Sequence, residues 1–188
     1  HSSGKMAYAL AAEAAAAGAK VTLISGPVNL STPDSVKRID VVSAQEMLEA
    51  TLENLGDCDV FIGVAAVADY RPVSAESQKI KKSEEQMQLT LVKNPDIISE
   101  VSRLTPRPFV VGFAAETNNI VDNGKDKLKR KNLDMLFANN ATETFNSDSI
   151  SVTALTASSE TELDAGNKSV VARHMLQLIA SALGEATT

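Results

Sequence analysis

The sequence is poor in the residues that most often announce chemistry, with one cysteine and two histidines among 188 residues. A single thiol forms no internal disulfide, so Cys58 excludes a disulfide scaffold and fits a reducing cytoplasm. With two histidines, neither a His-based triad nor a His-rich zinc site is expected. Cys58 sits in GDCDVF, ahead of a buried-looking strand and far in sequence from either histidine, so it reads as a core or near-surface thiol. No apolar run is long enough to span a bilayer: the longest, around Ala7 to Ala17, is broken by Glu13. No secretory signal is visible. There is no basic excess either. The formal net charge is −6, which leaves no global field for nucleic acid, although a small anion needs only a local cluster. Neither a G-x-G-x-x-G fingerprint nor a complete phosphate-loop motif occurs.

What is present is an alternation of apolar segments. The pattern predicts a helix over Lys5 to Ala19, a strand VTLIS, a Pro-containing connection and a strand IDVVSA. A helix from Ala44 to about Leu55 follows, then the continuous apolar run DVFIGVAA, as expected for a strand covered on both faces. Beyond a polar stretch come QLTLVK, a helix from Pro95 to about Arg103, and the strand PFVVGFAAE. A basic helix around Asp122 to Asn132, the strands DMLFAN and ISVTALTA, and a helix from Ser169 to Leu183 complete the series. Strands alternating with helices imply an α/β fold with a mostly parallel sheet and helices on both faces. Ligands then belong at the carboxyl ends of the strands. The length suits a single domain, residues 1–188. Asp69 to Gln86 is too long and polar for a routine connection and is a candidate functional loop or dimer arm.

Several short motifs sit where such a sheet would place chemistry. HSSGKM opens the chain; Ser2 or Ser3 caps a helix, and Gly4 lets an anion approach its N–H groups. Taken alone, the six residues read as an ordinary helix start. In GVAAVADY, small residues at a strand end allow a ligand against the backbone of Gly63, Val64 and Ala65. Asp69 then offers a carboxylate to a hydroxyl, an amino group or Mg²⁺, or serves as a turn cap. KIKK, Lys79 to Lys82, places lysines on the polar loop, either solvated or closing over a polyphosphate. VKNPDII predicts a helix start with Asn94 as N-cap and Pro95 at the first helical position. Phe113 in VGFAAET either stacks on a base or fills the core. Five of the 18 Lys and Arg lie between Lys125 and Lys131, with Lys127 and Lys131 on one helical face.

Read together and in order, HSSGKM, GVAAVADYRP, KIKK, VKNPDII, VVGFAAET and KLKRKNLDMLFANN closely resemble the phosphopantothenate–cysteine ligases, the C-terminal synthetase half of bacterial bifunctional coenzyme A biosynthesis proteins. The resemblance runs from His1 to about Asn140, resumes at FNSD, and is weak in the last helix. It implies a modified Rossmann-like fold, a homodimer, and a cytoplasmic enzyme that joins 4′-phosphopantothenate to L-cysteine. CTP activates the carboxylate as an acyl-cytidylate with loss of pyrophosphate, and the cysteine amine then displaces CMP, with Mg²⁺ on the triphosphate. The implied nucleotide-binding set is Ser2, Ser3, Gly4, Gly63, Val64, Ala65, Asp69, Lys79, Pro95, Asp96, Ile97, Ile98, Phe113, Lys127 and Lys131. Lys79 is also the catalytic residue of the activation step, and Asp69 the metal contact. No nucleic acid or membrane partner is implied.

Two departures qualify this. The family carries a strand, a glycine-containing turn and an asparagine ahead of the HSSGKM-like motif, and these do not precede His1. The chain thus reads as a fragment that binds nucleotide and ligates poorly, separated from a flavin-dependent decarboxylase half. The stretch between Asn140 and Phe145 is also shorter than the family's. The competing readings are a short-chain-type NAD(P) oxidoreductase, which lacks its glycine fingerprint and Tyr-x-x-x-Lys pair, and a non-catalytic nucleotide-binding module. Within the ligase reading, ATP is the alternative to CTP.

Overall fold

The computed structural model describes residues 3–74, 87–116, 119–140 and 149–186. Helix α1 spans Lys5–Ala16 and leads into β1, Val21–Ser25, which pairs in parallel with β2, Val36–Asp40. Helix α2, Ala44–Glu53, begins at a capping box: the Ser43 hydroxyl accepts from the Glu46 N–H at 3.1 Å, and Glu46 accepts from the Val42 N–H at 2.9 Å. Strands β3 (Val60–Gly63), β6 (Phe109–Glu116) and β7 (Met135–Asn140) run parallel. They are joined through α3 (Ile97–Ser102) and α4 (Ile120–Arg130). Strands β8 (Ser149–Leu155) and β9 (Glu160–Asn167) extend that sheet antiparallel, and α5 (Lys168–Ala186) packs back over them.

The period of two along β6 and β7 sorts their side chains onto two faces. Val111, Met135 and Phe137 join Met6 and Leu10 of α1 and Val171 and Met175 of α5 in one core cluster. Val110, Ala114, Leu136 and Ala138 face α3 and α4 in a second, with Val101 and Leu128. Helices therefore cover both faces, as the alternation of the sequence implies. The strand read as fully covered behaves differently. All of β3 is only half-buried, because among the described residues it pairs with β6 alone, and β1–β2 forms a separate ladder.

Between β3 and α3 the chain leaves the sheet as a two-stranded antiparallel ribbon, β4 (Tyr70–Pro72) with β5 (Leu91–Lys93). LVK is thus not a strand of the main sheet. The ribbon and the residues beside it expose Tyr70, Val73, Met87, Leu89 and Leu91.

Close packing fixes α4 against the sheet. Gly124 is buried in α4, and a Cβ there would stand 2.4 Å from Leu155 Cδ1. Alanine normally improves a helix by about 1 kcal/mol over glycine. Here Leu155 has no exposed surface to retreat into, and overpacking costs about 1–3 kcal/mol. Gly124→Ala is accordingly expected to destabilise the protein by roughly 1 kcal/mol, read as a lower urea midpoint with unchanged slope.

Candidate functional site

Residues that the sequence spreads from Gly63 to Lys131 converge on the face covered by α3 and α4. Gly63 and Gly112 are register partners across β3 and β6. A Cβ on either would meet Ile98 Cδ1, at 3.0 Å from Gly63 and 3.4 Å from Gly112. The two glycines thus form a notch filled by Ile98, which brings α3 down onto the sheet. The bare surface expected at Gly63 for a ligand is occupied, on this face, by the protein itself.

The start of α3 differs from the sequence expectation. Asp96, not Asn94, is the N-cap, and its carboxylate accepts from the Ser99 N–H at 3.3 Å. Pro95 therefore lies outside the helix, Ile97 is its first residue and is buried. Asn94 works as a strut instead. Its N–H donates to the Asp69 carbonyl at 2.8 Å and its amide to the Ala68 carbonyl at 2.8 Å, while Arg71 donates to Asn94 Oδ1 at 3.1 Å. This holds the largely exposed Ala65–Asp69 stretch, with Val67 half-buried, beside Pro95 and Asp96. Asn-Pro-Asp offers two capping residues two positions apart, and Asn94 is committed to Ala68, Asp69 and Arg71.

Lys131 enters the group from the other side. Helix α4 ends in a Schellman motif: Asn132 takes the left-handed conformation (φ 52°), Leu133 N–H bonds the Leu128 carbonyl at 2.9 Å, and Asn132 N–H bonds that of Lys129 at 3.2 Å. The Asn132 amide also donates to the Ser102 carbonyl at the end of α3. So fixed, Lys131 Nζ lies 3.2 and 3.1 Å from the two Asp96 carboxylate oxygens. Partial burial pushes the Asp96 carboxyl upward, but hydrogen bonds from Ser99 and Lys131 outweigh it and leave the pKa below the ordinary value. Lys127 is half-buried one turn earlier on α4. Lys125 is drawn away to Glu160 at 3.1 Å, and Arg130 to Asp126.

A second group lies at the start of α1. Gly4 is the N-cap, with φ 73°, and the Ser3 hydroxyl stands 3.5 Å from the Lys5 N–H. The serine cap read from HSSG is replaced by a glycine that only a left-handed turn requires. Ser3 lines an open cleft of about 530 Å³ with Pro27, Val28, Asn29 and Arg38. Val64 and Phe113 are half-buried and pack against the α1-facing cluster that includes Met6. They connect this group to the strand ends, and Phe113 lies on the opposite face of the sheet from Ile98. Ser2 and Lys79 lie outside the described residues.

Asp69 is exposed, and among the described residues no group of three or more His, Cys, Asp or Glu is placed to hold a metal ion. Cys58 is half-buried and donates its thiol to the Val60 carbonyl at 3.1 Å; burial raises its pKa. That is an inert thiol, as its sequence setting suggests. Among the described residues no helix is long and apolar enough to cross a membrane.

A parallel core with helices on both faces, and polar groups gathered at helix starts and strand ends without a glycine fingerprint, defines a modified Rossmann-like α/β domain. Within that class the family is specific: residues 1–183 match the DNA/pantothenate metabolism flavoprotein C-terminal domain, and the chain belongs to that family. It is 58% identical over 151 residues to the coenzyme A biosynthesis bifunctional protein CoaBC of Haemophilus influenzae, covering 79% of this chain and 38% of that protein. To CoaBC of Vibrio vulnificus it is 47% identical over 190 residues, covering 98% and 47%. The chain thus spans less than half the length of these curated relatives. The crystal structure of a CoaBC C-terminal domain superposes with a TM-score of 0.83 at 36% identity, covering 98% of this chain and 85% of that one.

Proposed function

We propose that the protein is a phosphopantothenate–cysteine ligase that activates its acid substrate with CTP. The observation that carries this reading is the 58% identity to a bifunctional coenzyme A biosynthesis protein over most of the chain. In the first step a carboxylate oxygen of 4′-phosphopantothenate attacks the α-phosphorus of CTP, and the bond to pyrophosphate breaks. The cysteine amine then attacks the acyl carbon, loses a proton, and releases CMP. Such chemistry asks chiefly for positioning and charge neutralisation, so the lack of a nucleophile–histidine pair is no obstacle.

The family resemblance supplies the roles, and the arrangement is compatible with them. Lys127 and Lys131 approach the phosphates from α4, Pro95 to Ile98 present the start of α3, and Gly63 to Ala65 line the strand end. Ser2, Ser3 and Gly4 receive phosphate at the start of α1, and Phe113 flanks the nucleotide from the other face. Asp69 suits an ion that arrives on the triphosphate and takes one protein carboxylate, not a protein cage. Mg²⁺ bound there supplies charge neutralisation across the phosphates. The apolar ribbon around β4 and β5 supports a homodimer, and the bifunctional relatives support fusion to a flavin-dependent decarboxylase. The setting is cytoplasmic, in keeping with the single thiol.

The test is phosphopantothenate-dependent release of pyrophosphate from CTP by the full-length protein. Lys79→Ala is expected to slow that step by roughly a hundredfold or more and to leave the melting temperature unchanged. Acyl-cytidylate formation that survives the substitution would remove Lys79 from its assigned role.

A further inference from the structure

The cleft beside Ser3 has a wall that the roles above do not include, the loop from Gly26 to Leu30. Its hold on α1 is built from a small polar network centred on Arg38 of β2. The Arg38 guanidinium donates through Nη1 to the Leu30 carbonyl at 2.7 Å and through Nε to Asp40 at 2.7 Å. Its centre stands 5.5 Å from the centroid of the Tyr8 ring, on α1. Tyr8, buried, meets the Ser25 hydroxyl at 2.9 Å, and Ser25 donates to the Gly26 carbonyl at 2.9 Å. Since the serine proton goes to Gly26, the tyrosine is the donor. The loop then lies directly on the helix start: a Cβ at Gly4 would meet Val28 Cγ1 at 3.1 Å.

We infer that Arg38 is a positioning residue, holding the Gly26–Leu30 loop against the start of α1 as the fixed wall that confines a nucleotide's phosphate chain. Its charge is already matched by Asp40, 2.6 Å away, so it acts through the loop and not as a phosphate ligand. An arginine is required because one planar group must serve Leu30, Asp40 and the Tyr8 ring together, which an ammonium does not do. The inference rests on the reading that Ser3 and Gly4 receive the phosphates.

Calorimetric titration with Mg-CTP and with CMP tests it, because CMP lacks the β- and γ-phosphates. The wild-type protein is expected to bind both. In Arg38→Met the dissociation constant for Mg-CTP rises roughly tenfold, while that for CMP stays within about twofold, and Arg38→Lys recovers only part of the loss. Equal weakening of both ligands, or none, overturns the inference and leaves the ligase reading standing. Failure of the wild type to bind either ligand overturns both. If Arg38→Met lacks a cooperative melt, Tyr8→Phe and Ser25→Ala carry the test. Selective loss of Mg-CTP in those two supports the role, and an unchanged ratio of affinities removes it.

Discussion

Asp134→Ala is expected to destabilise the protein by about 3 kcal/mol, since hydrogen bonds to charged groups contribute about 1.5–3 kcal/mol and a buried donor left without a partner costs more. Asp134 lies between α4 and β7 and fastens the entries of two parallel strands. One carboxylate oxygen accepts from Arg107 Nη1 and from the Val110 N–H at 2.7 Å; the other accepts from Arg107 Nη2 at 2.9 Å. Its own N–H returns a bond to the Val110 carbonyl at 3.0 Å. Val110 is fully buried, and its N–H has this carboxylate as its acceptor. For a protein of this size the melting temperature should fall by about 10 °C. Asp134→Asn keeps an acceptor for Val110 and Arg107 Nη1 but loses the charge and the acceptor for Arg107 Nη2, so its loss should be about half as large. Equal losses for the two variants would mean that the Val110 bond contributes nothing.

Lys131→Ala is expected to leave stability nearly intact and to weaken Mg-CTP binding roughly thirtyfold, the scale of a lost charge-assisted phosphate contact. The Asp96 partner is half-exposed, and such pairs contribute at most about 1 kcal/mol to folding. The pair also has a defined pH window. Asp96 is held below the ordinary carboxylate range, so its contribution is complete above the unfolded value of about 3.9 and disappears as the pH falls through the lower folded value. Wild-type stability should therefore show no step from this pair between pH 5 and 8, and an acid loss that Lys131→Ala reduces. Binding and melting curves on the same samples separate the two effects. A variant that melts normally and binds Mg-CTP like the wild type would take Lys131 out of the site.

Much of this arrangement is legible in the amino-acid sequence. VTLIS forms β1 with the bounds its apolar run suggests, and PFVVGFAAE and DMLFAN become the central parallel strands because their neighbours cover both faces. Lys127 and Lys131 share a helical face, as their spacing requires. Other features depended on distant partners. The run ETELDAGN hides β9, since an exposed edge strand alternates charges in place of apolar residues. LVK reads as a strand and becomes β5, but its three-residue partner β4 and their antiparallel pairing outside the main sheet carry no sequence signal, because the apolar side chains of the ribbon face outward. Gly63 reads locally as an open strand end, and Ile98, thirty-five positions later, fills it. Arg38 carries no motif at all; its importance arises where β2 meets α1 and the loop before it.

The most direct measurement of the central claim is calorimetric titration of the protein with Mg-CTP, and in parallel with Mg-ATP and NADPH. The ligase reading requires clear binding of Mg-CTP, weaker binding of Mg-ATP and none of NADPH. Binding of NADPH without Mg-CTP would contradict it and return the domain to the oxidoreductases.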